Sequence, residues 1–270
     1  MAMLALLWLK TKNSYLAYKN KGKMKTKLNG IEVNFRYHFN DNKDKVVLLL
    51  HGWGGSLNSF RGLENFLTQN GFSVINLDFP GFGNSDLPKE NFTLEDYKKI
   101  VVEMLEFLHL EKVDIVAHSF GGRVALLLAG STNYVNKLVL VDSAGIKPRF
   151  SLKRFFKQKR YKFLKFLAKK GIVKRDLSKY GSEDYRALPD QMKPVFVRVI
   201  NQDLTDCLGK IKCPTLIIWG EKDTSTPLYM AKKMNKKIAD SGLIVFKNAG
   251  HFSYLDYHDD FLIIVDNFLK

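Results

Sequence analysis

The chain has 270 residues, 46% of them hydrophobic and 26% charged, with a net charge of +16 and a pI near 9.6. That apolar share is too high for a disordered chain, and no Gly-X-Y repeat suggests collagen. Cys207 and Cys213 are too few for a disulfide scaffold or a four-cysteine zinc site, and they read as the reduced thiols of a cytoplasmic protein.

Met1–Leu9 (MAMLALLWL) is apolar, and the stretch from Lys10 to Lys27 is rich in Lys and Asn. Nine residues cannot span a bilayer, which needs about 20. Residues 1–24 are therefore read as an extension that packs as a short helix or precedes an alternative start at Met24, with a weak interfacial anchor as the competing reading. Lys27–Phe39 predicts a hairpin around Asn29-Gly30. Lys45–Leu50 (KVVLLL) reads as a strand covered on both faces. A helix over Asn58–Gln69, a strand over Phe72–Asp78, and a helix capped by Thr93 and running to about Leu108 follow. Next come a strand over Val113–Ala117, an apolar helix over Phe120–Ala129, and a strand over Val135–Val141. Thr215–Trp219 and Leu243–Phe246 are further strands, with a helix over about Leu228–Ile238 between them, and Asp256–Leu269 closes the chain as an amphipathic helix.

Strands alternating with helices imply α/β architecture: a mostly parallel sheet with helices on both faces. The rhythm breaks between two strands, so residues 145–207 are read as a helical cap inserted into a core of residues 25–144 and 208–270. There is no internal repeat.

The chemistry centres on Ala117-His118-Ser119-Phe120-Gly121-Gly122. A strand ends there and a helix begins, the context of a nucleophile elbow. The turn lifts the Ser119 hydroxyl above the sheet edge, and the helix N-terminus beneath offers unpaired N–H groups to an oxyanion. A serine hydroxyl needs a base, itself oriented by a third group. His251 follows the run ending at Phe246, and Asp223 follows the run ending at Trp219. Both therefore stand at carboxyl ends of strands, as Ser119 does, and the three can converge on one rim. Asp142, after Val135–Val141, is the rival for the acid. The loop His51-Gly52-Trp53-Gly54-Gly55 would supply the N–H of Trp53, which with that of Phe120 forms the oxyanion hole. His51 and His118 are read as neighbours of the site without the role of base. Asp78 and Ser85 are assigned to organising a loop, Arg123 to a structural ion pair, Asp256 to a helix cap and Asp203 to solvent.

The pieces HGWGG (51–55), DFPGFGNS (78–85), AHSFGG (117–122), GEKD (220–223) and AGHF (249–252), in this order, resemble the α/β-hydrolase superfamily, closest to its esterase and carbon–carbon-bond hydrolase branches. The resemblance implies an eight-stranded sheet, a Ser–Asp–His order of catalytic groups, and a variable lid where the insertion lies. Ala117 departs from the glycine usual at that elbow position.

Residues 147–205 hold 17 Lys and Arg against 5 Asp and Glu, most of the chain's excess charge. Phe155, Phe156, Tyr161, Phe163 and Phe166 interleave with these cations and are assigned to an apolar acyl or aryl pocket. The cations point to solvent in one reading, and to anionic substrates or a weak contact with anionic membranes in the other. No nucleic-acid recognition motif accompanies the charge.

The reading is a serine hydrolase acting on esters of a small or medium apolar substrate, with Ser119, Asp223 and His251 catalytic and no metal or cofactor. The alternatives are a carbon–carbon hydrolase of a vinylogous diketone acid, whose carboxylate would suit the basic cap, and a non-catalytic ligand-binding or membrane-surface protein. Oligomeric state is left open.

Overall fold

The computed structural model describes residues 22–40, 45–148, 159–160, 163–164, 166, 170 and 183–270. The extension before Gly22 and most of the stretch 149–182 lie outside the described residues.

The backbone forms one eight-stranded sheet in the order β1-β2-β4-β3-β5-β6-β7-β8. The strands are β1 (Gly22–Leu28), β2 (Ile31–His38), β3 (Val46–Leu50), β4 (Ser73–Leu77), β5 (Val113–His118), β6 (Val135–Val141), β7 (Thr215–Gly220) and β8 (Ser241–Phe246). β2 runs antiparallel to β1 and β4, and β3 to β8 run parallel. The hairpin turns at Asn29 (φ 46°) and Gly30 (φ 78°), the left-handed pair that a two-residue turn requires. β1 begins earlier than the expected hairpin, at Gly22, because its alternation of Lys23, Lys25 and Lys27 with Met24 and Thr26 forms a ladder on β2 without any apolar run.

The central strands are buried along their length. Leu48 and Leu50 of β3 face one layer, Val47 and Leu49 the other, as the period of two dictates. The helices are α1 (Arg61–Gln69), α2 (Leu94–Phe107), α3 (Phe120–Ser131), α4 (Glu183–Ala187), α5 (Met192–Asn201), α6 (Tyr229–Lys237), α7 (Ser253–Asp256) and α8 (His258–Leu269). α2, α3 and α6 pack on the first face, and α1 and α8 on the second. Each fully buried Leu, Val or Phe contributes about 1.5–3 kcal/mol, so these layers dominate the fold. Thr93 caps α2 in a reciprocal box: its hydroxyl accepts from Asp96 N–H at 3.3 Å, and Asp96 accepts from Thr93 N–H at 2.8 Å.

The closing helix is two helices, because the chain breaks at Tyr257, whose ring stacks on Phe246 at 4.5 Å. α4 and α5 lie between β6 and β7. The two ends of that stretch meet where Leu204 N–H donates to Gly145 O at 2.9 Å. Among the described residues Arg123 of α3 forms no ion pair. Its guanidinium donates to Gln202 O (2.7 Å) and Ile200 O (3.1 Å), capping the carbonyl end of α5. Among the described residues no helix is long and apolar enough to cross a membrane. Cys207 and Cys213 are unpaired.

Candidate active site

The parallel strands point their carboxyl ends toward one rim. Ser119 follows β5, Asp142 follows β6, Asp223 lies in the loop after β7, His251 follows β8, and the 51–55 loop follows β3. Ser119 occupies φ 49°, ψ −108°, a backbone region that L residues avoid and that a sharp strand-to-helix turn imposes. Its N–H donates to Val141 O (3.1 Å) and its carbonyl accepts from Ala144 N–H (2.9 Å), which hold the strained turn between β5 and the chain leaving β6. Two glycines let the turn close. A Cβ on Gly52 would stand 2.6 Å from His118 Nδ1, and one on Gly121 would stand 2.1 Å from Leu50 O.

His251 Nε2 lies 3.0 Å from Ser119 Oγ, and His251 Nδ1 lies 2.8 Å from Asp223 Oδ2. A carboxylate only accepts, so the Nδ1 proton points to Asp223 and the Nε2 lone pair faces the serine hydroxyl. Asp223 is fully held. Oδ1 accepts from the N–H groups of Ser225 (2.7 Å) and Thr226 (2.9 Å), and Oδ2 also accepts from the Thr226 hydroxyl (2.6 Å). Burial opposes ionisation of Asp223, but its bonds to His251 and Thr226 outweigh that effect and keep its carboxyl below the usual range.

Asp142 is buried elsewhere in this rim, bonded to Gly220 N–H (2.8 Å) and to the N–H and hydroxyl of Ser253 (3.0 and 2.6 Å). The carboxylate bonded to His251 Nδ1 is thus that of Asp223.

Two further histidines are neutral. Burial lowers His51 to about 4 and His118 to about 3. His51 Nε2 accepts from Phe79 N–H (3.0 Å), so its Nδ1–H donates to Gly52 O (2.7 Å) and shapes the glycine loop. His118 Nε2–H donates to the carbonyl of His251 (2.8 Å), fixing the loop that carries it. Asp256 is not the helix cap expected: it ends α7, Tyr257 precedes α8, and its Oδ2 accepts from Gly250 N–H (2.9 Å), beside His251. Asp78 and Ser85 organise the 78–85 loop, with Asp78 accepting from Leu57 N–H, Asn34 and Asn84 N–H, and Ser85 Oγ donating to Asp78 O (2.6 Å). Asp203 is exposed, as its charge suggested, and accepts from the Thr205 N–H (3.1 Å) and hydroxyl (2.6 Å).

The N–H of Phe120 opens α3 and belongs to the first turn, whose donors lack intrahelical acceptors. The Trp53 ring stands edge-on to Phe82, Phe120 and Phe196 at 4.9, 5.1 and 4.9 Å, so an aromatic wall joins the glycine loop, the elbow and α5. Phe252 stacks against His118 at 5.3 Å and is 52% exposed beside His251.

Of the aromatics assigned to a pocket, Phe163 and Phe166 are 61% and 54% exposed, so they form no buried lining. Phe155, Phe156 and Tyr161 lie outside the described residues. A hollow of about 500 Å³ on the insertion, lined by Tyr185, Lys193, Pro194, Val197 and Arg198, touches none of the three rim residues. Among the described residues no group of three or more His, Cys, Asp or Glu is placed to hold a metal.

Sequence reasoning missed Thr226, Asp142 as a joint between loops, and Phe82 and Phe196 as walls. Only Thr226 left a readable mark: an Asp followed three residues later by Thr is a local turn pattern.

The family profile described as alpha/beta hydrolase fold matches residues 45–170 and 174–257. The chain is 28% identical over 267 residues to the 2-hydroxy-6-oxononadienedioate/2-hydroxy-6-oxononatrienedioate hydrolase of Escherichia coli K12, covering 87% of this chain and 91% of that one. Among solved structures, an esterase from Exiguobacterium antarcticum superposes with a TM-score of 0.73 at 24% identity, covering 92% of this chain and 99% of that one. A bromoperoxidase from Bacillus anthracis gives the same figures, 0.73, 24%, 92% and 99%.

Proposed function

The chain belongs to the alpha/beta hydrolase family, and from that premise we propose that it is a serine hydrolase cleaving ester-type bonds of a small or medium apolar substrate. The observation that carries this reading is the relay of 3.0 Å from Ser119 to His251 and 2.8 Å from His251 to Asp223. His251 takes the Ser119 proton as Oγ attacks the carbonyl, and returns it to the leaving group. Asp223 holds the imidazole in the tautomer this requires and stabilises the imidazolium. The N–H groups of Trp53 and Phe120 receive the oxyanion, each donor worth about 100- to 1000-fold in rate. Water activated by His251 then clears the acyl group from Ser119. The aromatic wall of Trp53, Phe82 and Phe196 favours an apolar acyl or aryl group.

The test is a chain-length series of nitrophenyl esters with the wild-type chain and Ser119→Ala. Turnover and labelling by a fluorophosphonate probe disappear in the variant; undiminished turnover there refutes the mechanism.

A second reading has its own support. The Escherichia coli relative is named as a hydrolase of 2-hydroxy-6-oxononadienedioate and 2-hydroxy-6-oxononatrienedioate, and residues 147–205 carry a net +12. A vinylogous diketone acid assayed beside the esters decides between them. On the partner side, the exposed Phe163 and Phe166 beside the exposed Lys159, Arg160 and Lys170 support a weak contact with anionic membranes.

A further inference from the structure

Asp142 stands outside the relay yet touches the loops that carry Asp223 and His251. It is completely buried and sits at φ 43°, a left-handed conformation that a non-glycine residue adopts at a cost. Oδ1 accepts from the N–H of Gly220 (2.8 Å), at the start of the loop that carries Asp223. Oδ2 accepts from the N–H (3.0 Å) and hydroxyl (2.6 Å) of Ser253, just after His251. None of these donors is a cation. The Asp142 backbone adds two ties: its N–H donates to Ile218 O (3.0 Å), and its carbonyl accepts from the Thr226 hydroxyl (3.0 Å). That same hydroxyl lies 2.6 Å from Asp223 Oδ2 and 3.3 Å from His251 Nδ1.

We propose that Asp142 is a positioning residue for His251: its carboxylate clamps the Asp223 loop to the His251 loop, and its negative charge favours the imidazolium that forms as Ser119 loses its proton. The inference rests on the reading of Ser119, His251 and Asp223 as a catalytic relay. The chemistry of the carboxylate supports it. Two acceptor oxygens serve donors from two loops at once, which no amide or hydroxyl of this size does. A buried charge without a cation costs stability, and apolar residues would fill this space at less expense. Burial, more than the neighbouring Asp223, pushes the Asp142 carboxyl up to about 7, against the opposing bonds from Ser253 and Gly220. Its proton is therefore exchanged in the range where a histidine-dependent hydrolase works. The titratable groups facing it are Asp223 and Tyr254, with His118 behind Tyr254 and His251 reached through Ser253 and Thr226.

The experiment compares the whole wild-type chain with Asp142→Asn and Ser253→Ala. It records kcat on a nitrophenyl ester from about pH 5 to about pH 9, a window that spans the proton exchange of Asp142. Asp142→Asn keeps the bond to Gly220 but sets an amide against the Ser253 donors, so kcat falls roughly tenfold through misalignment. With the second titrating group gone, the acid limb becomes shallower, from two protons toward one, and its midpoint moves to lower pH. Ser253→Ala keeps the carboxylate and removes one donor, which raises the Asp142 pKa and moves the midpoint to higher pH. A purely structural role lowers kcat and leaves both limbs in place. Limbs of unchanged slope and midpoint in both variants overturn the proposal. If circular dichroism shows Asp142→Asn unfolded, the Ser253→Ala midpoint alone decides. A wild-type chain whose Ser119 takes no fluorophosphonate refutes the relay itself. A labelled wild type with unmoved limbs refutes only the role of Asp142.

Discussion

Replacing Gly121 by Ala tests the elbow from its packing upward. The new Cβ would lie 2.1 Å from Leu50 O, 2.7 Å from Leu50 C and 2.8 Å from His51 O, where ordinary contact begins near 3.4 Å. All three are backbone atoms at the end of a central strand, so no side chain can rotate away. Overpacking of this kind costs about 1–3 kcal/mol, and the better helix propensity of Ala returns at most about 1 kcal/mol. A net loss of about 2 kcal/mol lowers Tm by about 4–8 °C in a chain of this size. The displaced backbone continues into Gly52 and Trp53, so the proposed oxyanion donor moves relative to Ser119. A shift near 1 Å there reduces the acylation rate by about 100-fold. Thermal unfolding by circular dichroism and the rate of fluorophosphonate labelling measure the two effects. Gly209→Ala is the control, because nothing lies within 4 Å of its Cβ position. If Gly121→Ala melts with the wild type and labels at a similar rate, the close approach of α3 to β3 is not what shapes the site.

Asp223→Asn reverses a donor and acceptor at His251 Nδ1, so kcat falls by about 1000-fold or more while the fold is kept; a loss under about tenfold assigns the acid elsewhere. Stability against pH follows from three buried groups. His51 and His118 stay neutral in the fold down to about 4 and about 3 but protonate near 6.5 when unfolded, whereas Asp142 stays protonated in the fold up to about 7 against 3.8 unfolded. Between about pH 4 and 6.5 the unfolded chain thus gains two protons on histidine and forgoes one on Asp142, so urea-measured stability falls by about 1.4 kcal/mol per pH unit on acidification. Asp142→Asn removes the offset and doubles that slope; an unchanged slope refutes the assignment of these buried charges. Binding to vesicles rich in anionic lipid is expected to weaken in high salt and in a Phe163→Ser, Phe166→Ser variant, with binding to neutral vesicles as the contrary result.

Much of this was legible because a few residue patterns have few structural solutions. VVLLL and VDIVAH are apolar runs of strand length, and they form strands buried on both faces, while Asn29-Gly30 forms a tight hairpin turn. Strand, serine and apolar helix in succession define an elbow, and convergence of Asp223 and His251 follows once their strands run parallel to β5. What stayed hidden depends on contacts across the sheet. β1 carries no apolar run, and only its pairing with β2 makes it a strand. The break at Tyr257 answers to Phe246, on a different element. Arg123 looks like half of an ion pair in sequence, but its partners are backbone carbonyls, which no sequence marks. The exposed Phe163 and Phe166 show that aromatic residues among lysines do not by themselves announce a pocket.

The bonds from Leu204 to Gly145 and from Lys147 to Asp203, with Arg123 bracing the returning chain, tie together the two ends of the stretch between β6 and β7. The stretch between β6 and β7 thus leaves and rejoins the sheet at one place. Selection can lengthen, shorten or recharge it without disturbing the register of β6 on β7, so a new chemical diet can be acquired while the bond-breaking machinery is inherited intact.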